Sequence, residues 1–131
     1  MQDNFEEINP KYYQGGFAAE ELQCIDITRH LKFAPGNAFK YIWRAGKKSS
    51  ERREKDLRKA IWYLYDWAAW NPVTHVGGEH NEAKVIFHMI KPDNSKQYDA
   101  LACIINHDIY GAISLVKSML RDENIYIEEE K

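Results

Sequence analysis

The chain has 131 residues, 44% of them hydrophobic and 29% charged, and it contains seven Gly and four Pro. This length accommodates one compact domain and is too short for two ordinary ones, and no stretch approaches the roughly 18 apolar residues that a membrane span needs. The formal net charge of −2 conceals a balance of +8 from Arg29 to Lys59 (eleven basic and three acidic residues) and of −10 elsewhere (seven basic and seventeen acidic). The basic block is typical of an anion-binding surface, whereas the acidic remainder disfavours binding of long nucleic acid.

The first predicted helix follows an irregular lead-in of seventeen residues. It begins near Ala18, and its body, 20–31, carries apolar residues on both faces at spacings of three and four, which predicts a buried helix. Pro35-Gly36-Asn37 then breaks the chain and offers Asn37 as the cap of a short second helix over 38–44. Gly46 ends that helix.

The second predicted helix has one apolar and one polar face. Residues at positions i, i+3, i+4 and i+7 share a face of a helix. The apolar face consists of Phe39, Ile42 and Trp43. The polar face consists of Asn37, Lys40, Tyr41 and Arg44.

The longest predicted helix runs from Glu51 to about Trp70. Its predicted core seam, at spacings of four, three and four, consists of Leu57, Ile61, Leu64 and Ala68. A second stripe lies roughly 150° round the helix, and it consists of Asp56, Lys59, Tyr63 and Asp66. The further aromatic residues indicate a helix that is central to the domain or covered by another subunit.

Three shorter helices are predicted in the second half, over 82–90, 97–106 and 109–121, and strand signals are nearly absent. Their apolar residues keep helical spacing and include Val85, Ile86, Met89, Leu101, Ile104, Ile105, Ile113, Val116 and Leu120. The sequence therefore predicts an all-α fold, a compact bundle of about five or six helices. Residues 1–131 form one helical domain, in which 79–124 adds C-terminal helices to a half spanning 9–70.

Candidate phosphate-binding residues gather at the end of the second helix and in the turn after it. Gly46-Lys47-Lys48-Ser49 resembles the end of a P-loop, but that motif needs a Gly where Tyr41 stands and a preceding strand. A Walker A loop is therefore excluded. Cationic side chains still cluster here, and Arg supplies the planar fork that suits phosphate oxygens. The cluster consists of Lys40, Arg44, Lys47 and Lys48, and its alternative interpretation is a solvated basic face.

Acidic residues near this cluster are candidate ligands for Mg2+, which takes carboxylate and phosphate oxygens together. Asp26 and Asp56 are these candidates, and the alternative for each is an ion pair or a helix cap, because an unpaired carboxylate on an apolar face is costly. The five histidines, the pair His107-Asp108 included, show no ordered set of metal ligands. Cys24 and Cys103 fit buried apolar positions better than a disulfide or a nucleophile, which favours a reducing cytoplasm.

Four segments of the first half occur in a specific order: 9–16 (NPKYYQGG), 24–26 (CID), 36–48 (GNAFKYIWRAGKK) and 56–64 (DLRKAIWYL). Over about residues 9–66 they resemble the small bacteriophage SaV-like family. The resemblance implies a phage protein made in the cytoplasm of the host bacterium. Some members are described as nucleotide kinases that phosphorylate deoxynucleoside monophosphates without a P-loop and assemble as oligomers. Others are named only as targets of host abortive-infection systems.

The chain departs from the family pattern in three places. Tyr12 stands where the family has His, Lys55 stands where it has Glu, and residues 71–131 have no counterpart. If that His or Glu takes part in catalysis, this chain binds nucleotide without turning it over. The resemblance thus favours nucleotide binding more strongly than kinase activity.

These observations predict a homo-oligomeric phage nucleotide-binding protein that is similar to nucleotide kinases. The predicted catalytic residues are Lys40, Arg44 and Lys47, the predicted nucleotide contacts are Tyr13, Asn37, Tyr41, Lys48 and Lys59, and the predicted Mg2+ ligands are Asp26 and Asp56. Tyr13 or Tyr41 is expected to stack on the base. The alternative function is a non-catalytic counter-defence protein that sequesters a signalling nucleotide or binds a host defence protein. A nucleotide pyrophosphatase is a weaker alternative, because Glu51, Glu54 and Asp56 make a poor acidic set.

Overall fold

The structure, a computed structural model, describes residues 22–47, 50–70 and 80–122, and within these ranges its regular elements are six helices. They are α1 (Cys24–Thr28), α2 (Phe33–Arg44), α3 (Ser50–Trp70), α4 (Asn81–Phe87), α5 (Lys96–Ile105) and α6 (Ile109–Asp122). These ranges contain no strand, so the predicted all-α class is confirmed. Within them, no helix combines the length and the apolar character needed to cross a membrane.

Four of the helices enclose the core. Helix α2 packs against α3, α3 against α6, α6 against α5, and α5 again against α2, while α1 and α4 pack on each other at the α2–α5 side. Each helix of this ring presents its apolar stripe inward, and both halves of the chain thereby contribute to one hydrophobic core. Fully buried core residues include Phe39, Trp43, Leu57, Leu64, Leu101, Ile104, Val116 and Leu120.

The long periodic helices match their predicted stripes. Leu57 and Leu64 of the predicted α3 seam are fully buried, as the spacing of apolar residues requires. Val85 and Met89 share the helical spacing but are each 67% exposed. Met89 lies beyond the end of α4 at Phe87, and Val85 lies on the side of α4 opposite the buried Ala83 and Phe87.

The start of α2 also differs from the prediction. The helix begins at Phe33, five residues before the predicted Ala38, and Pro35 lies inside its first turn. Proline is tolerated there because the N–H that it lacks has no partner within the helix. Asn37 is therefore not the cap, and its Nδ2 instead donates a hydrogen bond to the carbonyl of Phe33 at 2.8 Å.

The first helix is shorter than predicted. It spans five residues and ends at Thr28 rather than near Leu31, and the predicted residues 18–21 lie outside the described part of the chain. Asp26 closes its first turn, because Oδ2 accepts a hydrogen bond from the backbone N–H of Gln23 at 2.9 Å. Ile25 is half exposed, so the expectation of a deeply buried helix is wrong for that residue.

A side chain of the second half closes the C-terminus of α2. Gln97 of α5 donates from Nε2 to the carbonyls of Ile42 (2.6 Å) and Ala45 (3.1 Å). The last carbonyls of a helix have no regular partner within the helix. Gln97 supplies a donor to the Ala45 carbonyl, and it adds to the longer bond that the Ile42 carbonyl accepts from the Ala45 N–H at 3.3 Å. Gly46 then ends the helix as predicted, at a φ of +84° that disfavours any residue with a Cβ.

Candidate anion-binding site

The polar face predicted on α2 and the second stripe predicted on α3 meet in the structure. The polar face of α2 contacts the second stripe of α3 through three pairs: Arg44 with Asp56, Tyr41 with Tyr63, and Tyr41 with Lys59. Periodicity places residues on a face of one helix but does not say which faces meet. The packing of α2 on α3 thus assembles a surface that the sequence describes only as two separate stripes.

Three cations surround the ring of Tyr41. Lys40 Nζ lies 4.6 Å, Arg44 Cζ 4.9 Å and Lys59 Nζ 5.3 Å from the ring centroid, within the range of cation–π attraction. Tyr41 also stacks on Tyr63, with centroids 5.9 Å apart and ring planes 14° apart. In the described part of the chain, neither Lys40 nor Lys59 forms an ion pair. Their two positive charges therefore favour an anion beside this ring.

Arg44 and Asp56 form a buried ion pair. Arg44 donates to Asp56 Oδ1 from Nη2 at 2.6 Å and from Nε at 3.2 Å, and the two residues are only 6% and 0% exposed. Each of these buried charges therefore has a partner of opposite sign, as a buried charge requires. That Arg44 contacts phosphate and that Asp56 binds metal stay predictions. Arg44 joins α2 to α3 beneath the Tyr41 ring.

The predicted carboxylates do not fit a shared magnesium site. Asp26 accepts the hydrogen bond from Gln23, and its Oδ1 lies 3.8 Å from Arg29, so it serves its own helix. Asp56 Oδ1 is held by Arg44, and its Oδ2 is enclosed without a hydrogen bond. Across residues 22–47, 50–70 and 80–122, no three His, Cys, Asp or Glu side chains are placed to share a metal ion. No metal-dependent step is therefore assigned to Asp26 or Asp56.

Lys47 contacts the ring of Trp43 and not the ring of Tyr41. Its Nζ is 4.7 Å from the centroid of Trp43, and burial lowers the pKa of Lys47 to about 8. Burial also raises the pKa of Cys24 to about 12, and burial together with Asp108 raises the pKa of Cys103 to about 11. Both cysteines are thus protonated near neutral pH, which agrees with the prediction that neither is a nucleophile.

An open pocket of about 300 Å³ lies beside the Tyr41 ring. It is formed by the end of α1, the turn that follows and the first two turns of α2. Its lining residues are Thr28, Arg29, Leu31, Lys32, Phe33, Gly36, Asn37 and Lys40. Three of these are cationic, and Lys40 belongs both to the pocket and to the group around Tyr41. The pocket and the Tyr41 ring with Lys40 and Lys59 are together called the α2 anion site below.

Phe33 is the most unusual member of the α2 anion site. It is 74% exposed, and its ring meets Tyr63 edge to face with centroids 5.9 Å apart. Sequence reasoning missed Phe33, Arg29 and Lys32 because it began the helix at Ala38. The spacing of Phe33, Asn37 and Lys40 at i, i+4 and i+7 was the available signal, since such residues share one face.

The predicted ligand-binding residues thus divide into three groups. The structure brings Asn37, Lys40, Tyr41 and Lys59 to the α2 anion site. It places Arg44 beneath this surface and Lys47 on Trp43. Tyr13 and Lys48 lie outside the described residues.

Two histidines meet elsewhere in the fold. The rings of His80 and His107 have centroids 4.8 Å apart, and both contact Trp67, at 6.0 and 5.0 Å. His80 is buried, and His107 has a φ of 65° in the turn before α6. This contact joins the start of α4 to the turn before α6. Helical spacing does not indicate it, because the two residues are far apart along the chain.

Residues 8–65 match a family model described as a protein of unknown function (DUF3310). The match covers α1, α2 and most of α3, and therefore every described residue of the α2 anion site. No curated protein and no solved structure matches the chain. The description of the matching family names no activity, so the similarity to SaV-like phage proteins stays a prediction.

Proposed function

We propose that this chain binds a nucleotide at the α2 anion site, in the bacterial cytoplasm that the SaV-like resemblance implies. The observation that carries the proposal is the pair of ammonium groups, Lys40 and Lys59, beside one aromatic ring without an ion-pair partner in the described residues. Phosphate oxygens are attracted to such cations, and bases stack on exposed aromatic rings. The adjoining pocket has the volume of a small-molecule site.

Nucleotide binding is tested by calorimetric titration with the four deoxynucleoside monophosphates at low salt. Replacing both lysines (Lys40→Met with Lys59→Met) removes the two charges and keeps the apolar stems, and it should weaken binding at least about tenfold. Lys91→Met is the matched control, since Lys91 is exposed in the segment between α4 and α5. Binding by the wild type should also weaken as salt rises. Unchanged affinity in the double variant would refute the proposal.

The catalytic form of this function is a nucleotide kinase. A nucleoside triphosphate would donate its terminal phosphoryl group to the phosphate oxygen of a deoxynucleoside monophosphate, so that one phosphoanhydride bond breaks, another forms, and two diphosphates result. Such transfer depends mainly on positioning and charge stabilisation. Of the predicted catalytic residues, Lys40 lies at the α2 anion site, whereas Arg44 is held by Asp56 and Lys47 contacts Trp43.

Binding without chemistry is the second candidate function, and the Arg44–Asp56 pair favours it. That pair neutralises two residues that the kinase prediction assigned to the reaction. The two forms differ in a simple assay, in which the protein is incubated with a triphosphate, magnesium and each monophosphate and the nucleotides are separated by chromatography. Diphosphate formation supports the kinase, whereas complete recovery of unchanged, tightly bound nucleotide supports sequestration.

We further propose that the chain forms a homo-oligomer, as the resemblance implies. Trp62 and Trp70 of α3 are largely exposed in the single chain, and large exposed aromatic side chains are typical of subunit contacts. Native mass spectrometry of the purified protein measures the subunit number and any retained nucleotide together. A monomer at all concentrations would refute this part of the proposal.

A further inference from the structure

We infer that Phe33 is the base-stacking residue of the α2 anion site and that the ligand is a single nucleoside monophosphate, held with its base in the pocket and its phosphate between Lys40 and Lys59. This inference rests on the proposed function and adds the ligand class and the residue that recognises the base.

The exposure of Phe33 is the first argument. The other two phenylalanines of the described residues, Phe39 and Phe87, are buried in the core, whereas Phe33 exposes 74% of its surface in the lining of the pocket. Its one ring contact in the described residues is the edge-to-face contact with Tyr63. That contact fixes the ring from one side and leaves aromatic surface for a ligand.

Tyr41, the aromatic residue predicted to stack on the base, is already engaged. Tyr63 stacks on its ring, and the cations of Lys40, Arg44 and Lys59 lie 4.6–5.3 Å from its centroid. A base stacking on Tyr41 would have to displace these groups. Phe33 offers the same type of surface without that displacement, because no cation of residues 22–47, 50–70 and 80–122 contacts its ring.

The position of Lys40 connects the base and the phosphate. Lys40 lies one turn beyond Asn37 and two turns beyond Phe33 on the same face of α2, where it lines the pocket. Its ammonium group and that of Lys59 both lie within 5.3 Å of the Tyr41 centroid. A ligand that extends from Phe33 along this face therefore reaches both charges with its phosphate.

The size of the pocket limits the ligand. A volume of about 300 Å³ is at the lower end of the range for small-molecule sites, which suits one nucleoside unit rather than a dinucleotide. Asn37 uses its Nδ2 on the Phe33 carbonyl, which leaves its Oδ1 as an acceptor in the pocket lining. Recognition by stacking predicts that purine nucleotides bind more tightly than pyrimidine nucleotides, since purines stack more strongly.

The test compares Phe33→Ala and Phe33→Leu with the wild type in titrations of dAMP, dCMP and inorganic phosphate. Loss of base stacking should weaken dAMP binding by about fivefold to 150-fold and leave the affinity for inorganic phosphate unchanged. Phe33→Leu keeps apolar packing against Tyr63 and lacks an aromatic face, so it serves where the Ala variant folds poorly. Tyr110→Ala, which removes another exposed aromatic residue on α6, is the matched control.

A second readout observes the stacking directly. Saturation-transfer NMR should show transfer from protein aromatic protons to the base protons of dAMP, and Phe33→Leu should abolish most of it. If dAMP binds both Phe33 variants as it binds the wild type while Lys40→Met with Lys59→Met weakens it, the inference is overturned and the proposed function stands. If the wild type binds neither dAMP nor inorganic phosphate, the proposed function fails, and the inference fails with it.

Discussion

Replacing Asp56 with Asn should destabilise the fold severely, because it removes the charged carboxylate that accepts two hydrogen bonds from the buried Arg44 guanidinium. Asp56 receives two hydrogen bonds from Arg44, at 2.6 and 3.2 Å, and is 0% exposed. Hydrogen bonds to charged groups contribute about 1.5–3 kcal/mol each, which gives a loss of roughly 3–6 kcal/mol. Breaking a buried ion pair by removing one partner gives about 3–5 kcal/mol. The two magnitudes agree, and either is a large part of the total stability of about 5–15 kcal/mol typical of a domain.

The paired replacement separates the ion pair from the packing around it. Arg44→Met combined with Asp56→Leu removes both charges and fills similar volume, and exchanges of this kind are often neutral or stabilising. We therefore expect the double variant to be far more stable than Asp56→Asn. Its affinity for nucleotide should also be retained, since Arg44 lies beneath the α2 anion site and the pair carries no net charge.

Urea unfolding, followed by tryptophan fluorescence and by far-UV circular dichroism, measures these differences. Coincident transitions by the two probes establish two-state unfolding, from which the free energy of unfolding is obtained. A midpoint for Asp56→Asn equal to that of the wild type would refute the assigned role of the pair. A loss of stability in the double variant equal to the sum of the losses in Arg44→Met and Asp56→Leu would also refute it, because the double-mutant cycle would then show no coupling.

Three further predictions follow from groups around the ends of α2. The lowered pKa of Lys47, about 8, and its ordinary value of 10.5 mean that above pH 8 the unfolded chain binds more protons than the folded one, so stability should rise with pH. The rise in the free energy of unfolding from pH 8 to 9 should stay below about 1 kcal/mol because Lys47 is partly solvated. This rise should vanish in Lys47→Met. Above pH 9 the raised pKa of Cys24 lowers the stability and so opposes the rise. Gly46→Ala should lower the free energy of unfolding by about 1–2 kcal/mol, because φ is +84° and the new Cβ would lie 2.9 Å from Arg53 Nη1. Gln97→Leu removes the donor to the Ala45 carbonyl and leaves the Ile42 carbonyl only the 3.3 Å bond from the Ala45 N–H, so it should cost about 1–3 kcal/mol. Urea midpoints equal to the wild type would refute either of these last two predictions.

Helical periodicity was sufficient to predict α3, α5 and α6, because each is long enough for its apolar stripe to repeat several times. It does not distinguish the two faces of the short α4, where Val85 keeps the spacing but is exposed and Met89 lies beyond the end of the helix. It also failed at the start of α2, because Pro35 is read as a break although the first turn of a helix tolerates it. That single boundary error hid Phe33 and the pocket.

The candidate site was predicted in part. Lys40, Tyr41 and Lys59, which were predicted to contact one nucleotide, lie close together in the structure. The pairing of Arg44 with Asp56 was not predictable, since it depends on which face of α2 meets α3 across a turn and not on the spacing within either helix. A charged residue on the polar face of a helix looks the same in the sequence whether it meets solvent or a buried partner.

The two hydrogen bonds from Gln97 have a consequence for the motions of the chain. They link the last turn of α2, which ends beside Trp43 and Arg44, to α5 in the other half of the sequence. Opening that turn requires α5 to give up its contact, so the backbone amides of the two helices should exchange their hydrogens with solvent as one cooperative unit. The face that carries Lys40 is thereby held rigid by a segment that lies outside the region matched by the family model.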